Sequence, residues 1–402
     1  MFENIALIGL VIGRVSTTLI ASTLSVAIGW HLYMATGNAF DLALVGLFQI
    51  VPIFLFTLLA GWVADHFSRK MILLVTSFLL MAVLFGVAVI MSQPDFNKWY
   101  LFIALSLIGV GRAFFSPAMQ SMLPNIVPPE QLNRAVALMS SSWNFALTIG
   151  PFIAGLLIAW IDRDLYWLLV LLQVVTLAGF LVLPNFKSAT QRKSLNLTDL
   201  LGGIDYLKKN NMVLGCLTVD LCIVFFGSVV AILPVFVSDV LKSGPETLGL
   251  LRSMPAVGAT LMGLFLTGRK DAIKQNGKVL FIALTIFASS ILLFALVHHI
   301  WVAALALFIY GASDMVSVVL RSSIVQILTP DDLRGRVSSL NSLFIATSNE
   351  FGDFRAGSVT ALIGPVAGAV VGGVMAFGVV GASYYLFKPL RTLGEIKPPA
   401  TN

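Results

Sequence analysis

GLFQIVP, from Gly46 to Pro52, returns in the second half of the chain as GLLRSMP, from Gly249 to Pro255, an offset of 203 residues. A second pair stands at almost the same distance. VPPEQLNRAVAL (Val127–Leu138) is matched by LTPDDLRGRVSSL (Leu328–Leu340) at an offset of 201 to 202, with one residue inserted. Each pair occupies the same place within its half, and the shared positions include Gly, Pro and charged residues. Chance likeness between apolar helices does not align such positions twice at one spacing, so the chain reads as a duplication.

What is duplicated is a set of apolar runs. The sequence is 58% hydrophobic and 11% charged, whereas a soluble chain carries about 25% charged residues. Runs of roughly 20 apolar residues, the length of a membrane crossing, recur twelve times: 5–32, 42–60, 71–92, 99–124, 135–160, 165–184, 211–236, 247–267, 278–297, 301–327, 338–363 and 365–387. The expected fold is therefore all-α and membrane-integral, with two pseudo-symmetric six-helix bundles. Residues 1–184 form the first, 185–210 a cytoplasmic linker, 211–390 the second and 391–402 a cytoplasmic tail. Within the linker, Leu195–Leu207 reads equally as a short amphipathic helix on the membrane surface or as plain connection. The start, MFENIALIG, lacks a basic n-region and reads as the first span. Parallel six-span repeats are one architecture of transporters, with the substrate site at the repeat interface.

Basic residues set the expected orientation. With the N-terminus inside, cytoplasmic segments hold 17 of the 25 Lys and Arg residues, and the other side only Lys98, Arg163 and Lys242. This asymmetry places both termini in the cytoplasm. The net charge of +6 is then a topology signal, and no basic patch interleaved with aromatics points to nucleic acid. Cys216 and Cys222 lie in one apolar span without metal spacing. His298 and His299 read as a surface turn, so no metal site is expected. The Asn196-Leu-Thr triplet lies on the cytoplasmic side, where no glycan is added. No phosphate-binding loop, zinc pattern or nucleophile elbow is present, so neither ATP-driven work nor an enzyme is expected, and no cofactor.

The remaining five basic residues lie inside spans or at their edges: Arg14, Arg112, Arg252, Arg321 and Arg355. Asp220, Asp314, Glu350 and Asp353 join them. An intramembrane charge costs about 2.5–3.5 kcal/mol on insertion scales and is a functional candidate by default. The repeat relates Arg112 to Asp314 (GVGR and GASD) and Arg14 to Asp220 (GLVIGR and GCLTVD). In GASDMVSVVLR, Gly311–Arg321, an acid and a base seven residues apart share one helix face. That spacing is outside i,i+3 or i,i+4 pairing, so a third group or water is expected to mediate between Asp314 and Arg321. Two readings stay open for these charges: proton uptake and substrate contact, or fixed ion pairs that hold helices in register. The aromatics Phe114, Phe115, Trp143, Phe225, Phe226 and Tyr310 lie on or near the inner spans, where apolar filling accounts for most of them.

Three stretches carry a family resemblance. GWVADHFSRK, Gly61–Lys70, resembles the loop signature of the major facilitator superfamily, with His66 and Ser68 departing from it and Asp65, Arg69 and Lys70 in place. Gly61 is expected to permit a tight helix exit and Asp65 to accept from helix-start N–H groups; the resemblance implies that Asp65 helps lock a conformational state. GPFIAG, with Gly150, Pro151 and Gly155, resembles the superfamily's antiporter motif, with Ala146 and Ala154 at two of its glycine positions. Small residues there allow close helix approach, and Pro151 bends the helix. GASDMVSVVLRSSIVQILTPDDLRGRVSSLNSLF, together with NEFGDFRAG (Asn349–Gly357), resembles the enterobactin-exporter-like branch, which includes macrolide efflux proteins. Arg355 stands where a basic residue is unusual. The resemblance implies that spans one, four, seven and ten line a central cavity, with a basic wall from the first half facing an acidic wall from the second. It implies a monomeric, proton-coupled exporter of a siderophore or similar small amphiphile in the lipid bilayer of a bacterial inner membrane, or else a multidrug or macrolide antiporter. Asp314, Asp220, Glu350 and Asp353 would then serve protons and gating. Arg14, Arg112, Arg321, Tyr310, Trp143 and Phe226 would meet substrate.

Overall fold

The computed structural model describes residues 4–185, 205–267 and 276–394; within these, the side chains of Leu58, Asp65, Asn276, Asp331, Asp332 and Ser339 lie outside the description. The expected surface helix at Leu195–Leu207, the Asn196 triplet and the tail fall wholly or mostly outside these residues. Among the described residues there are twelve long helices: α1 (Ile5–Thr36), α2 (Ala39–His66), α3 (Arg69–Met91), α4 (Lys98–Ile126), α5 (Leu132–Ile161), α6 (Leu165–Leu181), α7 (Asn211–Gly227), α8 (Pro245–Thr267), α9 (Asn276–Leu296), α10 (Ile300–Leu328), α11 (Asp331–Ile363) and α12 (Pro365–Leu386). Each overlaps one expected apolar run.

Helix is the form that satisfies every backbone group within one segment, which an apolar surround demands. The ends are marked by caps. Asn4, Asn97 and Asn210 accept from N–H groups in the first turns of α1, α4 and α7, as short polar side chains do at N-caps. Gly37 closes α1 in the left-handed region, at φ 60°. Crossings are a separate quantity from helices. Among the described residues, ten stretches are long and apolar enough to cross a membrane, and one of these, Pro129–Leu181, contains both α5 and α6. α11 is long enough, at 33 residues, but it is outside the ten; Asn349, Glu350, Asp353 and Arg355 interrupt its apolar face.

The chain divides into two compact units. One comprises residues 1–37, 44–195 and 244–250, the other 38–43, 196–243 and 251–402. In the first, Leu7 and Leu10 of α1 meet Leu73 of α3, Met119 and Met122 of α4 and Phe180 of α6 in a buried core. In the second, Val213 and Leu217 of α7 meet Val337 and Leu340 of α11.

The repeated motif is a packing seam in both units. A Cβ on Gly109 of α4 would stand 2.4 Å from the Gln49 carbonyl oxygen, inside GLFQIVP on α2. A Cβ on the equivalent Gly311 of α10 would stand 1.9 Å from the Pro255 carbonyl oxygen, inside GLLRSMP on α8. The duplicated glycine lets the fourth helix of each half touch the backbone of the second.

Two expectations need correction. Gly61 is not a helix exit: α2 continues through it to His66, since one glycine costs a helix only about 1 kcal/mol. Asp65 therefore lies in the last turn of α2, its side chain and so its expected acceptor role lying outside the described residues. At the start of α3, Ser68 accepts from the Met71 N–H at 3.2 Å. The seventh run is not one helix. α7 stops at Gly227, Ser228 is extended (φ −63°, ψ 127°), and the chain resumes as a 3₁₀ turn (Val230–Ile232), a helical turn (Leu233–Val235) and a π-helical turn (Phe236–Val240). The Gly227-Ser228 pair is a recognised kink sequence, and Pro234 has no N–H to offer the Val230 carbonyl four residues back.

Candidate functional site

The second unit gathers intramembrane charges at two places. At the first, Arg321 of α10 is buried. Its Nη1 forms an ion pair with the Asp220 carboxylate of α7, its Nη2 lies 3.9 Å from Asp314 Oδ1, and its Nε donates to the Ser317 carbonyl at 3.2 Å. The expectation that Asp314 and Arg321 need a mediator is therefore overturned. A helical side chain leans toward the N-terminus of its helix, and the long arginine stem carries the guanidinium back up α10 toward Asp314. Asp220 is buried and Asp314 half-buried. Two carboxylates thus share one guanidinium, and the group carries one net negative charge with both acids ionised. One proton on either acid neutralises it. A cleft bordered by Cys216, Asp220, Val325 and Ile345 opens onto Arg321.

The second place is the broken end of α7. The Ser228 hydroxyl donates a short hydrogen bond to Asp353 of α11. Arg355 Nε donates to the Phe225 carbonyl at 2.9 Å, and its Nη2 to the Ser228 carbonyl at 3.2 Å. Arg252 of α8 donates at 3.4 Å to the Val230 carbonyl, which also accepts from the Leu233 N–H that closes the 3₁₀ turn. Both arginines also act electrostatically on Asp353. The unusual Arg355 thus satisfies carbonyls released where α7 breaks, at the negative end of the helix dipole.

These pairings change the expected acidic wall. Asp220 and Asp314 pair with Arg321, and Asp353 lies within the electrostatic reach of Arg252 and Arg355, so these three carboxylates are accompanied by bases. Glu350 is half-buried one turn before Asp353. The Tyr310 ring lies against Phe287 of α9, centroids 4.4 Å apart, and Phe226 meets Phe225 edge-on at 4.9 Å.

In the first unit, Arg14 of α1 lies over the Trp143 ring of α5, 5.5 Å from its centroid, a cation–π distance. Exposed Arg112 donates to Gln49 Oε1 at 3.1 Å. In the loop motif, Arg69 donates to the Ser121 carbonyl of α4 at 2.6 Å and Lys70 to the Leu181 carbonyl at the end of α6 at 2.7 Å. In the GPFIAG motif, Pro151 is buried. A Cβ on Gly150 would meet Ser22 Oγ at 2.0 Å, and one on Gly155 the Gly249 Cα at 2.7 Å.

One cluster has no counterpart among the sequence expectations. His31 of α1 is buried, with Nε2 3.0 Å from Asp162 Oδ1 and Nδ1 2.9 Å from the Tyr166 hydroxyl. A carboxylate only accepts, so Nε2–H donates to Asp162 and Nδ1 accepts from Tyr166. Among the described residues, no group of three or more His, Cys, Asp or Glu is placed to hold a metal ion.

The profile of the transmembrane secretion effector family matches residues 10–397. The chain is 24% identical to the enterobactin exporter EntS of Salmonella typhi over 382 residues, 93% of this chain and 89% of that protein. It is 22% identical to macrolide efflux protein A of Streptococcus pyogenes over 289 residues, 70% of this chain and 71% of that one. Among solved structures, the nucleoside transporter NupG matches with a TM-score of 0.75 at 16% identity, covering 95% of this chain and 99% of that one. A bacterial homologue of the human lysosomal transporter Spinster matches with a TM-score of 0.70 at 14% identity, over 96% of each chain. The fold is that of these transporters.

Proposed function

The chain belongs to the transmembrane secretion effector family of the major facilitator superfamily, and from that membership we propose that it is a proton-coupled exporter carrying a siderophore or similar small amphiphile out of a bacterial cell by alternating access. It is a multi-pass membrane protein whose relatives are transporters. The finer reading places it in the inner membrane as a monomer, as the resemblance to the exporter branch implies, with both termini cytoplasmic on the strength of the lysine and arginine asymmetry.

The observation that carries this reading is the group Asp220–Arg321–Asp314. A lone ion pair in an apolar surround is neutral and inert. Two acids on one base leave an unbalanced charge, whose cost in that surround falls when a proton is taken up. Asp314 is the acid held at longer range and partly open, so it is the one that exchanges the proton, while Asp220 keeps Arg321 in place. Protonation of Asp314 releases one of the two contacts that fix the guanidinium. A conformational equilibrium shifts by as much as the two states differ in affinity for the proton, and this contact supplies the difference. The basic residues Arg14 and Arg112 support an anionic or catecholate-like cargo.

The experiment is proton release from acid-loaded proteoliposomes. Adding a transported compound on the neutral side should dissipate the gradient in step with uptake of that compound. A catecholate siderophore and a macrolide, tested side by side, separate the exporter reading from the drug-efflux alternative that the macrolide relative supports. Uptake that proceeds equally with and without the proton gradient would overturn the coupling.

A further inference from the structure

The break in α7 leaves several oxygens near one another. The Phe225 and Ser228 carbonyls have lost their helical donors, the Ser228 hydroxyl stands beside them, and the Asp353 carboxylate accepts from that hydroxyl. Two carbonyls at a helix C-terminus, a hydroxyl and a carboxylate are hard oxygen donors. Unwound carbonyls and half-helix C-terminal ends are what membrane transporters use to hold coupling cations. Here the place is taken by a side chain. Arg355 Nε and Nη2 reach both carbonyls, at 2.9 and 3.2 Å. The surroundings are shaped for it. Gly372 of α12 leaves room that a Cβ would close to within 3.3 Å of Arg355 Nη2, and Gly352 lets α11 approach the Val224 carbonyl and Ser228.

The geometry points to a cation site at the broken end of α7 that the Arg355 guanidinium occupies as a tethered cation, so that removing this side chain uncovers a site for a small free cation. Three consequences follow for the native protein. The break needs no alkali ion to be stable. Its cation cannot dissociate, so it cannot serve as a transported coupling ion. Stability of the α7 break is instead tied to the position of α11, which carries both Asp353 and Arg355.

The test measures thermal unfolding of the purified full chain in guanidinium, sodium, potassium or choline chloride at fixed ionic strength and millimolar concentrations. The wild type should unfold at one temperature in all four. Arg355→Ala should be less stable in choline chloride and regain at least about 2 °C, saturably, with guanidinium or sodium. The double variant R252A/R355A, in which no neighbouring guanidinium can swing into the gap, should respond at least as strongly. Adding Asp353→Asn should abolish the response, because it removes the anionic ligand. If R355A does not accumulate, Arg355→Gln carries the same comparison with two N–H donors and no charge. A wild type that gains as much as the variants, or variants indifferent to all four cations, would overturn the assignment.

Discussion

Arg321 of α10 forms an ion pair with Asp220 of α7, two residues 101 positions apart that are both buried in the second unit. The pair joins two helices through charges that neither could carry alone in an apolar surround. Breaking a buried pair by removing one partner strands the other charge, at about 3–5 kcal/mol, whereas replacing both partners with apolar side chains is often neutral. In an Asp314→Asn background, where Asp220 and Arg321 stand as a lone pair, Asp220→Asn should therefore lower unfolding stability by that amount, and D220L/R321M should recover most of it. A thermal-unfolding cycle over the single and double variants reads the coupling. Additive losses would show that the two groups act independently.

The duplicated glycines make a second prediction. Gly311→Ala drives a methyl into the Pro255 carbonyl and Gly109→Ala one into the Gln49 carbonyl, at 1.9 and 2.4 Å. Each should destabilise by about 1–3 kcal/mol. Gly86 of α3 and Gly378 of α12 face open space, so alanine there should stabilise by up to about 1 kcal/mol. Denaturation of the four variants in one detergent separates the two classes.

The His31 cluster predicts a dissection of backbone and side chain. Asp162 has a φ of 45° and a ψ of −121°, a region that suits glycine. Asp162→Gly and Asp162→Ala both lose the bond to His31, so the difference between them isolates the backbone. Alanine should be the less stable by about 1–3 kcal/mol. His31→Ala should cost about 1–3 kcal/mol through the unsatisfied Tyr166 hydroxyl. Unfolding temperatures of the three variants check both figures.

The helices were legible because apolar length and cap residues are local signals. The repeat was legible too, and its glycine seam explains why Gly and Pro were the positions it kept. The charged residues stood out against their surround, but their partners did not. Sequence spacing relates Asp314 to Arg321 only along one helix, and it omits the backward lean of a long side chain. Arg252 and Arg355 gained their roles from a break that an apolar run conceals. The visible sign was Gly227-Ser228 followed by Pro234, a kink pair with a helix breaker close behind. His31 and Asp162 are 131 positions apart, and no local pattern connects a lone histidine to a turn that distant. Gly61 suggests a helix exit through its backbone freedom, whereas the apolar helix formers before it carry α2 onward to His66.

The central claim is that proton coupling runs through Asp314, and the most direct measurement compares uphill and downhill transport by the Asp314→Asn variant in proteoliposomes. Asparagine keeps the shape of the side chain and removes its titration. The account predicts that D314N exchanges substrate down its own gradient at a rate near that of the wild type. It also predicts that an imposed proton gradient no longer drives accumulation and that substrate no longer releases protons. Full gradient-driven accumulation by D314N would contradict it.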